Sequence, residues 1–238
     1  MNDLVQIVVL TLVAGLAMPI GASVAAVERI SPRWLEAEVR HFIIAFGGGA
    51  LLSAVALVLV PEGVSNLSSF LVAACFSGGS IVFMALDIRL VANNTPFSQL
   101  TAMLSDFIPE ALALGATFTF SKDAGLLLAG IIALQNMPEG FNAYREIKVS
   151  TKYSRLKIIG AFTIMACLGP IAGVTGYFIL SEYPKIVSGI MLFAAGGILY
   201  IIFQDIAPQS KLDNHWAPPL GAVAGFLLGV LGHISVGA

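Results

Sequence analysis

Three acids and two amides stand in the middle of two long apolar runs. Asp106 and Glu110 lie in the run around 98–120; Gln135, Asn136 and Glu139 lie in the run around 123–144. Neither run contains an internal Lys, Arg or His. An ionised carboxylate at the centre of a membrane helix costs about 2.5–3.5 kcal/mol on insertion scales. The negative charge must therefore be met by protons or by a bound cation. Asp106 and Glu110 are four residues apart, as are Gln135 and Glu139, so each pair shares one helix face. Two facing helices would converge Asp106, Glu110, Gln135 and Glu139 on one point, with Asn136 at its edge. Pro109 and Pro138 each precede a Glu. A proline inside a helix clashes with the carbonyl four residues earlier. The bends would free the oxygens of Ser105 and Leu134 beside the acids. Together these are the parts of an oxygen-rich divalent cation site.

The rest of the chain supplies the helices that such a site needs. Of 238 residues, 58% are hydrophobic and 11% charged, against about a quarter charged in a soluble domain. That excludes an ordinary soluble enzyme, a disordered chain and a nucleic-acid partner, and the net charge of -2 gives no basic face for a polyanion. Eight apolar runs reach the length of about 20 residues needed to span a bilayer: 4–25, 40–62, 67–88, 98–120, 123–144, 156–178, 184–205 and 217–236. Turn formers separate them, as in Ser31-Pro32-Arg33 and Ala92-Asn93-Asn94-Thr95-Pro96. Strands of a β-barrel would alternate in polarity and be about half as long. The first run lacks a basic flank and is too long for a signal peptide, so it reads as an uncleaved helix. Cys75 and Cys167 lie inside apolar runs and suggest no disulfide framework.

Ten of the 12 Lys and Arg residues fall in the odd connections, the other two being Lys122 and Lys185. The odd loops are then cytoplasmic and both termini extracytoplasmic. The densest basic cluster, Arg145, Lys148, Lys152, Arg155 and Lys157, is explained by topology; a lipid head group or a partner is the other reading.

An internal repeat is visible. Phe46/Phe193, Gly49/Gly196, Leu52/Leu199 and Pro61/Pro208 are all separated by 147 residues. The second and seventh helices they mark run in opposite directions, as in transporters built from inverted repeats. The Pro-Glu helices four and five form a second antiparallel pair. The expected fold is all-α: a polytopic membrane protein, one domain over 1–238, with eight transmembrane helices in a 3+2+3 inverted-repeat bundle.

These features resemble the Zrt/Irt-like (ZIP) family of divalent-metal transporters over the whole chain. Gln135-Asn136-Met137-Pro138-Glu139-Gly140 matches the family's fifth-helix motif. On the fourth helix Pro109 and Glu110 match, while Asp106 and Phe107 replace the family's histidine and asparagine. Gln204-Asp205-Ile206-Ala207-Pro208 resembles the seventh-helix motif with both polar positions altered, and Gly169-Pro170 stands where many members have Glu-Pro.

The resemblance implies a first metal position at Asp106, Glu110, Gln135 and Glu139. A second would use Glu110, Asn136 and Glu139 but lacks ligands at Phe107 and Gly169, so one position is expected. It also implies import of metal toward the cytoplasm at the cell membrane, with no cofactor beyond the transported ion. A site of oxygens alone suits manganese, ferrous iron or magnesium; zinc stays open because it outranks manganese with almost any ligand set. Asp205 and Gln204 read either as an inner exit site or as a helix cap, and Asp87 and Glu62 as solvated. Small-residue helix faces permit a homodimer. No nucleotide loop or hydrolase motif is present, so transport would be passive or gradient-coupled. A metal sensor or scaffold of the same family is the competing reading.

Overall fold

The computed structural model describes residues 3–28, 33–93, 96–180, 182–213 and 215–237. The connections expected at Ser31-Pro32 and Asn94-Thr95 lie outside them. Among the described residues the chain is helical throughout its regular structure: α1 (Asp3–Val27), α2 (Arg33–Ala54), α3 (Val60–Val64), α4 (Ser69–Asn93), α5 (Pro96–Phe120), α6 (Lys122–Ser150), α7 (Arg155–Ala166), α8 (Leu168–Thr175), α9 (Pro184–Ile201), α10 (Ala207–Ser210) and α11 (Ala217–Gly237). In lipid every backbone group must be satisfied within the segment, and a helix does that.

Among the described residues, six helical stretches are long and apolar enough to cross a membrane: Asp3–Val27, Ala37–Val64, Ser69–Arg89, Arg155–Ile179, Pro184–Ser210 and Ala217–Ser235. The helices that carry the acids and amides, α5 and α6, are 25 and 29 residues long. α6 also runs to Ser150, beyond the limit of 144 set by hydropathy. Charges such as Arg145 and Lys148 end an apolar run without ending a helix; the stop comes at Thr151, which is extended. Its start is capped by Ser121, whose Oγ accepts from the Ala124 amide at 3.1 Å.

The expected backbone breaks are elsewhere. Helix is continuous through Pro109 and Pro138. Wide π-turns instead occupy Val55–Leu59, Gly176–Leu180 and Ile202–Ile206. The first and third stand just ahead of Pro61 and Pro208. There the Val60 amide reaches back to the Val55 carbonyl, and the Ala207 amide to that of Ile202. An extra residue in the turn re-aims the carbonyls that would meet the proline ring.

Glycine seams set the packing. α1 lies on α6, α2 on α11, α4 on α9 and α5 on α8. In each seam two glycines face two carbonyls. A methyl at Gly21 would strike the Met137 carbonyl, and one at Gly140 the Met18 carbonyl. The same reciprocity joins Gly49 with Ala222 and Gly225 with Phe46, Gly79 with Phe193 and Gly196 with Phe76, and Gly115 with Gly173 and Gly176 with Leu112. Backbones approach this closely only where a side chain is missing, which is how membrane helices gain packing energy without a hydrophobic drive. Ion pairs fasten α1 to α6 at both ends: Lys122 to Asp3 at 2.7 Å and Arg145 to Glu28 at 2.9 Å.

Candidate metal centre

α5 and α6 run side by side, and their polar faces meet. Glu110, Gln135 and Asn136 are almost fully buried, at 1%, 3% and 1% exposure. The Gln135 Nε2 donates to Glu110 Oε1 at 2.6 Å. This direct bond joins two of the expected site residues across the helix pair. Asp106 is near enough to Glu139 and Glu110 for their charges to act on it, and Glu139 is likewise near Glu110.

What stands out is the oxygen left over. Asp106 Oδ1, Glu110 Oε2 and Gln135 Oε1 are all shielded from solvent, and none has a hydrogen-bond partner among the described residues. Buried polar atoms are nearly always paired, because an unmade bond costs about 1–3 kcal/mol. Three orphaned acceptors from neighbouring residues are a donor set of oxygens without a donor of hydrogen. A hard or borderline divalent cation is what satisfies such a set. Among the described residues, no three His, Cys, Asp or Glu side chains stand close enough together to hold a metal ion. An ion here would draw on the Gln135 amide as well as on carboxylates.

Asn136 is turned elsewhere. One residue on from Gln135, it points about a quarter turn around the helix, and its Nδ2 donates to the Ala14 carbonyl of α1 at 2.9 Å. It ties α6 to α1. Beside that tie lies Phe107, 1% exposed. A Cβ at Gly169 would come within 2.6 Å of its ring, and one at Gly15 within 2.8 Å. The ring fills the hollow between α1 and α8, where a larger residue at 169 would project.

Sequence reasoning passed over two buried polar atoms. Thr117 Oγ1 and Asn142 Oδ1 are also shielded and unpartnered. Thr117 is seven residues from Glu110 and Asn142 three from Glu139, so each extends a face already identified. Neither carries a charge, and that is why neither draws the eye in an apolar run. Asp87, expected to be solvated, is half-buried and accepts from the Tyr200 hydroxyl at 3.2 Å. Asp205 is half-buried and close enough to Asp87 to feel its charge, whereas Gln204 is exposed. The histidines stand apart from the centre: His41 Nδ1 lies 2.6 Å from the Ala37 carbonyl, and His215 lies 3.4 Å from Glu38.

An all-helical membrane bundle with orphaned carboxylate and amide oxygens between two helices defines a protein that handles cations. Comparison with known proteins agrees. The family model described as ZIP Zinc transporter matches residues 97–236. The chain is also similar to the zinc transporter ZupT of Chlorobium phaeovibrioides, with 24% identity over 267 aligned residues covering 94% of this chain and 96% of that one. The chain belongs to the ZIP family of metal transporters, and it is a multi-pass protein of the cell membrane.

Proposed function

We propose that this protein imports a divalent metal ion by alternating access, through a centre formed by Asp106, Glu110, Gln135 and Glu139 with Asn136 at its edge. The carrying observation is the group of unpartnered oxygens on Asp106, Glu110 and Gln135. The ion sheds water on reaching them and leaves when one part of the bundle shifts against the other. The seam pattern supports such a division. α1, α5, α6 and α8 share glycine seams with one another; α2 with α11 and α4 with α9 share theirs. Where α2 meets α6, Gly47 faces only the Pro138 ring, at 3.1 Å for an added Cβ. The contact at Gly47 is made through a side chain and not through a carbonyl, which suits a boundary that slides.

α5 and α6 also span the membrane in this reading, giving eight helices in one domain over 1–238, in a 3+2+3 inverted repeat with both termini outside. The π-turns at Val55–Leu59 and Ile202–Ile206 support the repeat, because they recur at the same 147-residue spacing as Pro61 and Pro208. Exposed apolar side chains on α4 and α11, among them Ile81, Ile88, Val223 and Leu231, face lipid. The seams use most of the small positions that permit a homodimer; Gly78, Gly130 and Gly160, which open on free space, are left to one.

Zinc is the ion that the family and the relative point to; oxygen ligands extend the range to manganese and ferrous iron. The competing reading is a metal sensor or scaffold that no longer transports, favoured by the Phe107 ring in the hollow by Gly169. Metal uptake by proteoliposomes separates them. Uptake abolished by Glu110→Ala and by Glu139→Ala supports the centre. Uptake unchanged in both removes it, and tight metal binding without flux in the unaltered protein establishes the sensor.

A further inference from the structure

Below the proposed centre, toward the basic end of the bundle, the polar face of α6 continues. Gln135, Glu139, Asn142 and Glu146 are spaced four, three and four residues apart, which places all of them on one side of the helix. The same side is faced by the chain after α9. Asn142 Nδ2 donates to Gln209 Oε1 of α10 at 3.2 Å. Glu146 lies within reach of the charges of Arg40 and Asp205, and Asp205 within reach of Asp106. The π-turn Ile202–Ile206 helps to bring this about: its extra residue rotates the succeeding turn of helix by about a quarter turn, and Gln209 comes three residues after it.

The two ends of the Asn142 amide differ. Its nitrogen is engaged by Gln209, which is exposed, while its oxygen is shielded from solvent and has no partner. The side chain therefore stands at the boundary between a wet opening and the dry interior, with its acceptor on the dry side. A neutral amide oxygen is a weaker ligand than a carboxylate. It can take an ion from Glu139 without holding it, which is what conduction through successive stations requires. We infer that Asn142, oriented by Gln209, is the next oxygen ligand that the cation meets after Glu139 on its way out of the centre. This rests on the centre proposed above.

The test measures manganese uptake by proteoliposomes alongside equilibrium manganese binding to the purified protein. Asn142→Ala is expected to lower maximal uptake about tenfold while leaving KM and equilibrium binding unchanged. Asn142→Asp keeps an oxygen at the same place, and the Gln209 amide can turn to donate to it, but a carboxylate holds the ion longer; its uptake falls below that of the unaltered protein and stays above that of Asn142→Ala. Gln209→Ala removes the orienting bond but leaves the oxygen, and it falls by no more than about threefold. Normal uptake in Asn142→Ala overturns the inference. So does a loss in Gln209→Ala as deep as that in Asn142→Ala, which would make the contact a mere tie between helices, or a loss in Asn142→Asp as deep as in Asn142→Ala. Normal binding and uptake in Glu139→Ala would instead sink the centre itself, and the two failures are thus distinguishable.

Discussion

Gly49 and Gly196 occupy equivalent places on two different helices. Gly49 of α2 lies against the Ala222 carbonyl of α11, and Gly196 of α9 against the Phe76 carbonyl of α4. Each is answered by a glycine three residues beyond its carbonyl partner, Gly225 and Gly79, which face Phe46 and Phe193. The two seams are copies of one contact, and they hold the outer helices that flank the α5–α6 pair.

Adding one methyl tests the seams. Gly196→Ala forces backbone to move against backbone, and such overpacking costs about 1–3 kcal/mol or more. Gly78→Ala, on the same pair of helices, meets nothing within 4 Å and gains helix propensity. The thermal midpoint in detergent should fall clearly for the first and stay or rise for the second.

The ion pairs at the two ends of α1 are unequal. Asp3 and Lys122 are 35% and 58% exposed, and Glu28 and Arg145 only 12% and 24%. Exposed pairs are worth about 0–1 kcal/mol. Asp3→Ala should therefore leave stability nearly unchanged, whereas Glu28→Ala, which removes the better-buried of the two pairs, should lower the thermal midpoint measurably.

Gln135 holds Glu110 in place and offers its own oxygen. Gln135→Leu loses both, and groups of this kind typically carry 10–100-fold in metal affinity. A drop in that range is expected by titration with manganese. Gln135→Glu keeps an oxygen and should lose less at neutral pH or bind more tightly.

Binding should also weaken as pH falls. Metal ligands must be deprotonated, and Asp106, Glu110 and Glu139 take up protons in acid. The affinity is then highest at neutral to mildly alkaline pH and declines below it, with protons released as metal binds. Calorimetry in buffers of different ionisation enthalpy reads that release.

Much of the fold and the centre is legible in the residues. The acids stand out because nothing in their runs neutralises them, and the recurrence at 147 residues marks Gly49 and Gly196 from the sequence alone. The register of α5 against α6 is not legible there. Matching Pro109-Glu110 with Pro138-Glu139 sets Glu110 opposite Glu139. The hydrogen bond sets Glu110 against Gln135 instead, one helical turn away. Asn136 illustrates the other limit: its residue type fits a ligand, but the direction of one side chain on a helix decides whether it meets an ion or the Ala14 carbonyl. π-turns leave no residue signature beyond the proline that follows two of the three, so only the backbone reveals their positions.

If the orphaned oxygens of α5 and α6 are there to hold an ion, binding must depend on them whether or not the ion is carried across. Direct titration of the purified protein with manganese, compared with Glu110→Gln and Glu139→Gln, measures this without requiring flux. One ion bound per chain in the unaltered protein, and none in either variant at the same concentration, is the predicted result. Undiminished binding in both variants, each still folded and monodisperse, would place the ion elsewhere and contradict it.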